Sequence, residues 1–160
     1  WLFAGSVYDN IAYGRPDADY DDVVAAAKAA YVDRFVHTLP DGYDTRVTAA
    51  GGRLSGGQMQ RIGLARAMYD DPMILVLDEP NSNLDNEGSE AVNAAIRTMK
   101  SEGRSVLIMA HRPAAIKECD MLLMLDGGSR TAFGPKDEVL RQVTQNHQQI
   151  QTAVGQGGVR

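Results

Sequence analysis

The sequence predicts an α/β fold in which a partial parallel sheet adjoins a separate α-helical subdomain. Three observations predict it. Met73 to Leu77 and Ser105 to Ala110 are unbroken apolar runs of strand length, ending at Asp78-Glu79-Pro80 and His111-Arg112-Pro113. Between them, Glu87 to Ser101 carries Ala91, Ala94, Ala95 and Met99 at helical spacing. Ahead of both, Leu54-Ser55-Gly56-Gly57-Gln58 opens onto another helical pattern with Met59, Ile62, Ala65 and Met68. A strand–helix–strand unit makes its two strands parallel, because the crossover returns the chain to the same edge. Continuous apolar runs of this length suit strands covered on both faces.

The elements follow in order. Asp22 to Ala30 and Asp33 to Leu39 read as helices, and with the helix after Gly57 they form the helical subdomain, residues 1–71. Asp17, Asp19, Asp21 and Asp22 cluster around the first of these helix starts, where acidic side chains complement the macrodipole. Residues 72–143 form the α/β core. There Met121 to Leu125 is a third strand, turned by Asp126-Gly127-Gly128 toward Arg130 to Phe133 as a hairpin, and Asp137 to Val143 is a helix. Residues 144–160 are rich in Gln and Gly and read as a mobile polar tail.

Bulk properties narrow the function classes. A chain of 160 residues suits one domain. Its formal charge of −5 and scarce basic runs weigh against nucleic-acid binding. No apolar run approaches the ~20 residues needed to span a bilayer, and no signal peptide is visible. Cys119 is the single cysteine, so no internal disulfide forms and a cytosolic setting fits. His37 and His147 lack neighbours at metal-ligand spacing and read as structural or exposed.

The chemistry concentrates in the motifs. Ser55-Gly56-Gly57 at a helix N-terminus presents unpaired N–H groups and the positive end of the dipole, an arrangement that favours phosphate. Taken alone it reads more readily as an ordinary capped helix, with Ser55 the cap, and its neighbours reverse that preference. Ligands of open parallel sheets bind beyond the carboxyl ends of the strands, where Asp78, Glu79 and His111 emerge. Asp78 suits a Mg²⁺ ion held through water. Glu79 suits the polarisation of an attacking water, and His111 suits donation to a terminal phosphate oxygen.

These motifs, in this order, resemble the ATPase domain of an ABC transporter, specifically its C-terminal two-thirds. Leu54 to Gln58 matches the family's signature motif, Ile74 to Asp78 its Walker B strand, Glu79 its catalytic glutamate, Ser82-Asn83-Leu84-Asp85 its D-loop, and His111 its switch histidine. Leu2-Phe3-Ala4-Gly5-Ser6-Val7 and Leu39-Pro40-Asp41-Gly42-Tyr43-Asp44-Thr45 are similar to segments of exporter-type members. Pro80-Asn81-Ser82-Asn83-Leu84-Asp85 most resembles the type I protein-secretion ATPases of Gram-negative bacteria. The resemblance implies a P-loop NTPase-like core and ATP with Mg²⁺. Asp78 would serve the metal; Glu79 and His111 would be catalytic; Leu54, Ser55, Gly56, Gly57, Gln58 and Asp85 would bind nucleotide, the signature acting on a partner subunit's ATP. It further implies a homodimer, a transmembrane domain N-terminal in the same chain, a periplasmic adaptor, an outer-membrane tunnel protein, and a place at the cytoplasmic face of the bacterial inner membrane.

The sequence also departs from that pattern. No Gly-x-x-x-x-Gly-Lys-Ser/Thr loop occurs anywhere in it, and the adenine-stacking aromatic and the Q-loop glutamine would precede Trp1. The expectation is a piece of a longer protein, without meaningful ATPase activity alone, since that loop positions the phosphates. Ala49, in Thr48-Ala49-Ala50, stands where exporters usually carry an acidic residue, and Met59 replaces a common Arg. Two other readings stand beside the exporter motor: a non-catalytic remnant or nucleotide-bridging module, and a chromosome-maintenance ATPase. The last is weaker, because no long heptad coiled coil accompanies the signature. The transported cargo is not legible.

Overall fold

The computed structural model describes residues 2–48, 52, 54–82, 84–111 and 113–145. Those up to Glu118 form one compact unit and those from Cys119 a second. Trp1, Ala49, Ala50, Asn83, Arg112, His147 and most of the expected polar tail lie outside the described residues.

The first unit begins with a segment locked by side-chain hydrogen bonds. Strand β1 (Gly5–Ser6) runs into helix α1 (Val7–Ile11), whose N-cap Ser6 forms a reciprocal capping box with Asp9. Asn10 is 1% exposed. Its amide nitrogen donates to the Phe3 and Ser6 carbonyls at 3.0 and 2.9 Å, and its oxygen accepts from the Phe3 N–H at 2.7 Å. One buried side chain thus does for residues 3–6 what a longer strand ladder does elsewhere.

Helix α2 (Tyr20–Ala29) starts at Asp19, whose carboxylate accepts from the Asp21 N–H at 2.7 Å. The acidic cluster is a helix start, as expected. Val23, Ala26 and Ala27 form the buried stripe of α2, and two alanines there permit close helix packing. Helix α3 (Asp33–Val36) is shorter than the expected Asp33 to Leu39. The Thr38 hydroxyl donates to the Phe35 carbonyl at 2.7 Å, and Leu39 precedes Pro40, a position that disfavours helical backbone. The chain then passes Tyr43, buried, with its phenol donating to Asp33 at 2.7 Å. Burial, then that carboxylate, push its pKa well above the ordinary phenol range. Strand β2 (Arg46–Val47) returns antiparallel to β1.

Helix α4 (Gly56–Met68) buries Ile62, Leu64, Ala65 and Met68 against α1 and α2. Strand β3 (Ile74–Asp78), helix α5 (Asn86–Ser101) and strand β4 (Ser105–Met109) form the expected crossover unit. The strands are parallel and in continuous register from Ile74↔Ser105 to Asp78↔Met109. Ala91, Val92, Ala95, Ile96 and Met99 give α5 its buried stripe. The expectation of strands covered on both faces is corrected here. Leu75 and Leu77 are buried, whereas Ile74, Val76, Leu107 and Met109 are exposed. Successive strand side chains alternate faces, and one crossover helix covers only one of them.

The second unit is a hairpin of β5 (Met121–Asp126) and β6 (Ser129–Pro135), followed by helical backbone over 136–145. Gly127 and Gly128 have φ of +52° and +77°, the pair of left-handed residues that a tight two-residue hairpin turn requires. Among the described residues no helix is long and apolar enough to cross a membrane.

Replacing Asn10 by Ala removes three hydrogen bonds and leaves buried backbone groups unpaired, so unfolding free energy is expected to fall by about 2–3 kcal/mol in a urea titration.

Candidate functional site

The N-terminus of α4 is built by its own side chains. Ser55 is extended (φ −68°, ψ 159°). Its hydroxyl accepts from the Gln58 N–H at 3.2 Å while Gln58 Oε1 accepts from the Ser55 N–H at 2.8 Å. This reciprocal capping box fixes the loop. It leaves Gly56 and Gly57 at the helix start with no side chain over their backbone N–H groups, a surface an anion can approach closely. Leu54, half-buried, packs against the core and holds the loop from behind.

The second part is the carboxyl end of the parallel pair. Asp78 closes β3 opposite Met109 and is exposed. Among the described residues its carboxylate accepts no hydrogen bond, so its oxygens are open to a hard cation. Glu79 extends the ladder by one step, its N–H donating to the Met109 carbonyl at 2.8 Å. It then leaves the strand with φ of +49°, a left-handed conformation that is uncommon for a residue bearing a Cβ. A turn follows at once, with the Ser82 N–H donating to the Glu79 carbonyl at 3.1 Å.

That abrupt turn brings the Glu79 side chain to His111, the second residue past β4. Glu79 Oε1 and His111 Nδ1 lie 2.5 Å apart. The contact places the Nδ1 proton toward the carboxylate and leaves Nε2, on a ring side chain 71% exposed, for another partner.

Asp85 is the N-cap of α5, its carboxylate accepting from the Gly88 N–H at 2.7 Å. A Cβ at Gly88 would lie 3.1 Å from that carboxylate oxygen and 3.0 Å from Leu84 Cδ2, so the glycine makes room for the cap. The structure therefore brings Glu79 and His111 into contact with Asp78 beside them in the chain. No hydrogen bond or ion pair among the described residues joins Asp85, or the Leu54–Gln58 loop, to that pair. Among the described residues no three His, Cys, Asp or Glu side chains converge as a metal cage. Asp78 alone offers a carboxylate, which suits an ion whose other ligands are water and phosphate. A groove of about 920 Å³, lined among others by Lys28, Arg34, Phe35, Arg61 and Glu90, includes none of these residues.

One residue that the motif reading passed over joins the two parts. Gln60, on the second turn of α4, donates from Nε2 to the Glu79 and Pro80 carbonyls at 3.1 and 2.6 Å. No periodicity announces it. Its partners lie 19 and 20 positions along the chain, and the contact exists only once α4 packs beside the end of β3.

Comparisons with known proteins agree with this architecture. A family model described as ABC transporter matches residues 2–82. The type I secretion system ATP-binding protein PrsD of Rhizobium meliloti (strain 1021) is 50% identical over 147 residues, 92% of this chain and 25% of that protein. An ATP-dependent lipid A-core flippase of Legionella pneumophila (strain Paris) is 46% identical over 139 residues, covering 87% of this chain and 24% of its own. The solved structure of a bacterial Atm1-family ABC exporter with ATP bound superposes with a TM-score of 0.79 at 38% identity, over 88% of this chain and 24% of that one. The chain thus spans about a quarter of the length of the curated relatives it matches. It belongs to the ABC transporter ATPase family, a family of nucleotide-binding domains, and has that family's fold in part.

The backbone of Glu79 carries its own stability prediction. Glu79→Gly relieves the left-handed strain while Glu79→Ala keeps it, and both lose the His111 contact. The glycine variant is expected to be the more stable of the two by about 1 kcal/mol in denaturant titration.

Proposed function

We propose that this chain is the part of an exporter's ATPase domain that activates water at its own nucleotide and recognises the nucleotide of a second subunit. The observation that carries the reading is the Glu79–His111 contact at the carboxyl end of the parallel pair, next to an open Asp78 carboxylate. His111 holds one Glu79 oxygen and leaves the other for an attacking water, whose proton Glu79 accepts. With Nε2 protonated, the same ring donates to a terminal phosphate oxygen as charge develops there. Asp78 would hold Mg²⁺, which when bound would supply charge neutralisation for the phosphates.

The α4 N-terminus serves a different nucleotide. Ser55, Gly56, Gly57 and Gln58, with Leu54 behind them, form a capped helix N-terminus whose leading glycines can approach phosphate. A loop suited to phosphate that shares no hydrogen bond with the hydrolytic pair among the described residues fits action in trans, across a dimer in which Asp85 also faces the partner. The whole protein is then a homodimer with a transmembrane domain N-terminal in the same chain, its ATPase at the cytoplasmic face of the bacterial inner membrane.

The cargo follows from resemblance alone. Identity to PrsD supports type I protein secretion, with a periplasmic adaptor and an outer-membrane tunnel protein. Likeness to a lipid A-core flippase keeps lipid export as the second reading. The 160 residues contain no Gly-x-x-x-x-Gly-Lys loop to cradle phosphates, so they hydrolyse no ATP in isolation.

In the full-length protein, Ser55→Arg is expected to leave ATP affinity within about threefold and to lower turnover at least roughly 100-fold, because the loop acts after binding. Nucleotide binding by fluorescence and phosphate release check it, and turnover at the wild-type rate refutes action in trans. His111→Ala is expected to cut kcat by about 10²–10⁴ with little change in KM, read by steady-state kinetics. An unchanged kcat removes His111 from the mechanism.

A further inference from the structure

We infer that Gln60 is a positioning residue for ATP hydrolysis, its side-chain amide holding the Glu79 peptide in the left-handed turn that aims the carboxylate at His111. The inference rests on the reading of Glu79 as the base.

Glu79 carries a conformation that a Cβ disfavours, and such a conformation persists only where surroundings over-determine it. Three backbone restraints are visible. The Glu79 N–H is tied to the Met109 carbonyl, and the Glu79 carbonyl accepts from the Ser82 N–H. The first pairs the end of β3 with β4 and the second closes the local turn. The third comes from another element: Gln60 Nε2 donates to the Glu79 and Pro80 carbonyls together, at 3.1 and 2.6 Å. Two successive carbonyls that converge on one nitrogen fix the peptide plane between them, and that plane sets the direction in which Glu79 leaves the strand.

The amide is committed to this task. Both groups it meets are acceptors, so the orientation with nitrogen toward them is forced. Gln60 Oε1 is left buried with no partner among the described residues. Buried acceptors are rarely left unmatched, and here the unmatched oxygen accompanies a two-carbonyl grip on a strained peptide. Asn81, the next residue of the turn, is 6% exposed with both side-chain polar atoms unmatched as well. The Gln60 amide therefore reaches the two carbonyls of the turn that the Asn81 side chain leaves to it.

Placement gives the grip a second consequence. Gln60 sits on the second turn of the helix capped by Ser55 and Gln58. A displacement of the Ser55–Gln58 loop that moves this helix reaches the Glu79 peptide through the Gln60 side chain. The loop that reads the partner's nucleotide is thereby linked to the base that serves the chain's own.

The test uses the full-length membrane-reconstituted protein with MgATP. Gln60→Leu keeps the bulk and removes both donors, and is expected to lower kcat roughly 10- to 100-fold with KM within about twofold. Gln60→Lys, whose ammonium donates to the same carbonyls, restores kcat to within about fivefold of wild type. Gln60→Glu, of the same shape with no donor, falls with Gln60→Leu and replaces it in the comparison should the leucine variant not fold. A donor-free variant with wild-type kcat overturns the inference, as does a lysine variant no faster than the donor-free one. Glu79→Gln is measured alongside. If it turns over normally, the reading of Glu79 as base fails whatever Gln60 does; if it is dead while Gln60→Leu is fully active, the inference about Gln60 alone fails.

Discussion

Everything at the site hangs from one constraint: two parallel strands joined by a single helix end on the same edge. The register from Ile74↔Ser105 to Asp78↔Met109 brings the chain out at Glu79 and His111 from neighbouring strands, so side chains 32 positions apart meet at one edge. An antiparallel pair of the same residues would send them to opposite ends of the sheet. The Glu79 N–H bond to the Met109 carbonyl carries the ladder one step past the assigned strand, and that last rung is the pivot on which the chain turns.

The same topology explains the apolar face. Alternation places Leu75 and Leu77 on the covered side and Ile74 and Val76 on the other. The buried stripe of α5 matches the first pair. The exposed pair, with Leu107 and Met109, is the apolar surface that a fully covered parallel sheet would bury, and a chain spanning about a quarter of its relatives carries only part of such a sheet. An uninterrupted apolar run therefore records the environment of the strand in its whole sheet, not the covering supplied by this chain.

Much of this was legible because it is local. Ser55 occupies the cap position that its residue type and the following helical spacing announce, and the acidic cluster around Asp19 marks a helix start. Gly127 and Gly128 announce their turn through the φ they require. The end of α3 was misread by three residues, although Pro40 stood in plain view; helical periodicity in Phe35, Val36 and Leu39 outweighed it. The Gln60 contact and the left-handed peptide at Glu79 were not legible at all. A glutamine on a helix face has the same local pattern whether it meets water or two carbonyls of a distant turn. A glutamate with positive φ has no sequence mark, since the residue preferred there on backbone grounds is glycine.

That mismatch is itself informative about how the site works. Where backbone preference and side-chain identity disagree, the side chain is present for a reason other than stability, and the cost appears as strain that neighbours must hold. At Glu79 the neighbours are the Met109 carbonyl, the Ser82 N–H and the Gln60 amide, and of these three the last comes from outside the strand pair and its turn. Strand pairing fixes where the glutamate stands, and the turn fixes that it departs sharply. The direction of departure is left to a helix that begins with a phosphate-type loop. If Glu79 is the base and the Ser55 loop reads a nucleotide, as proposed, the base is aimed best when that ligand is in place, and the strain at Glu79 and the loop at Ser55 belong to one device rather than to two neighbouring ones.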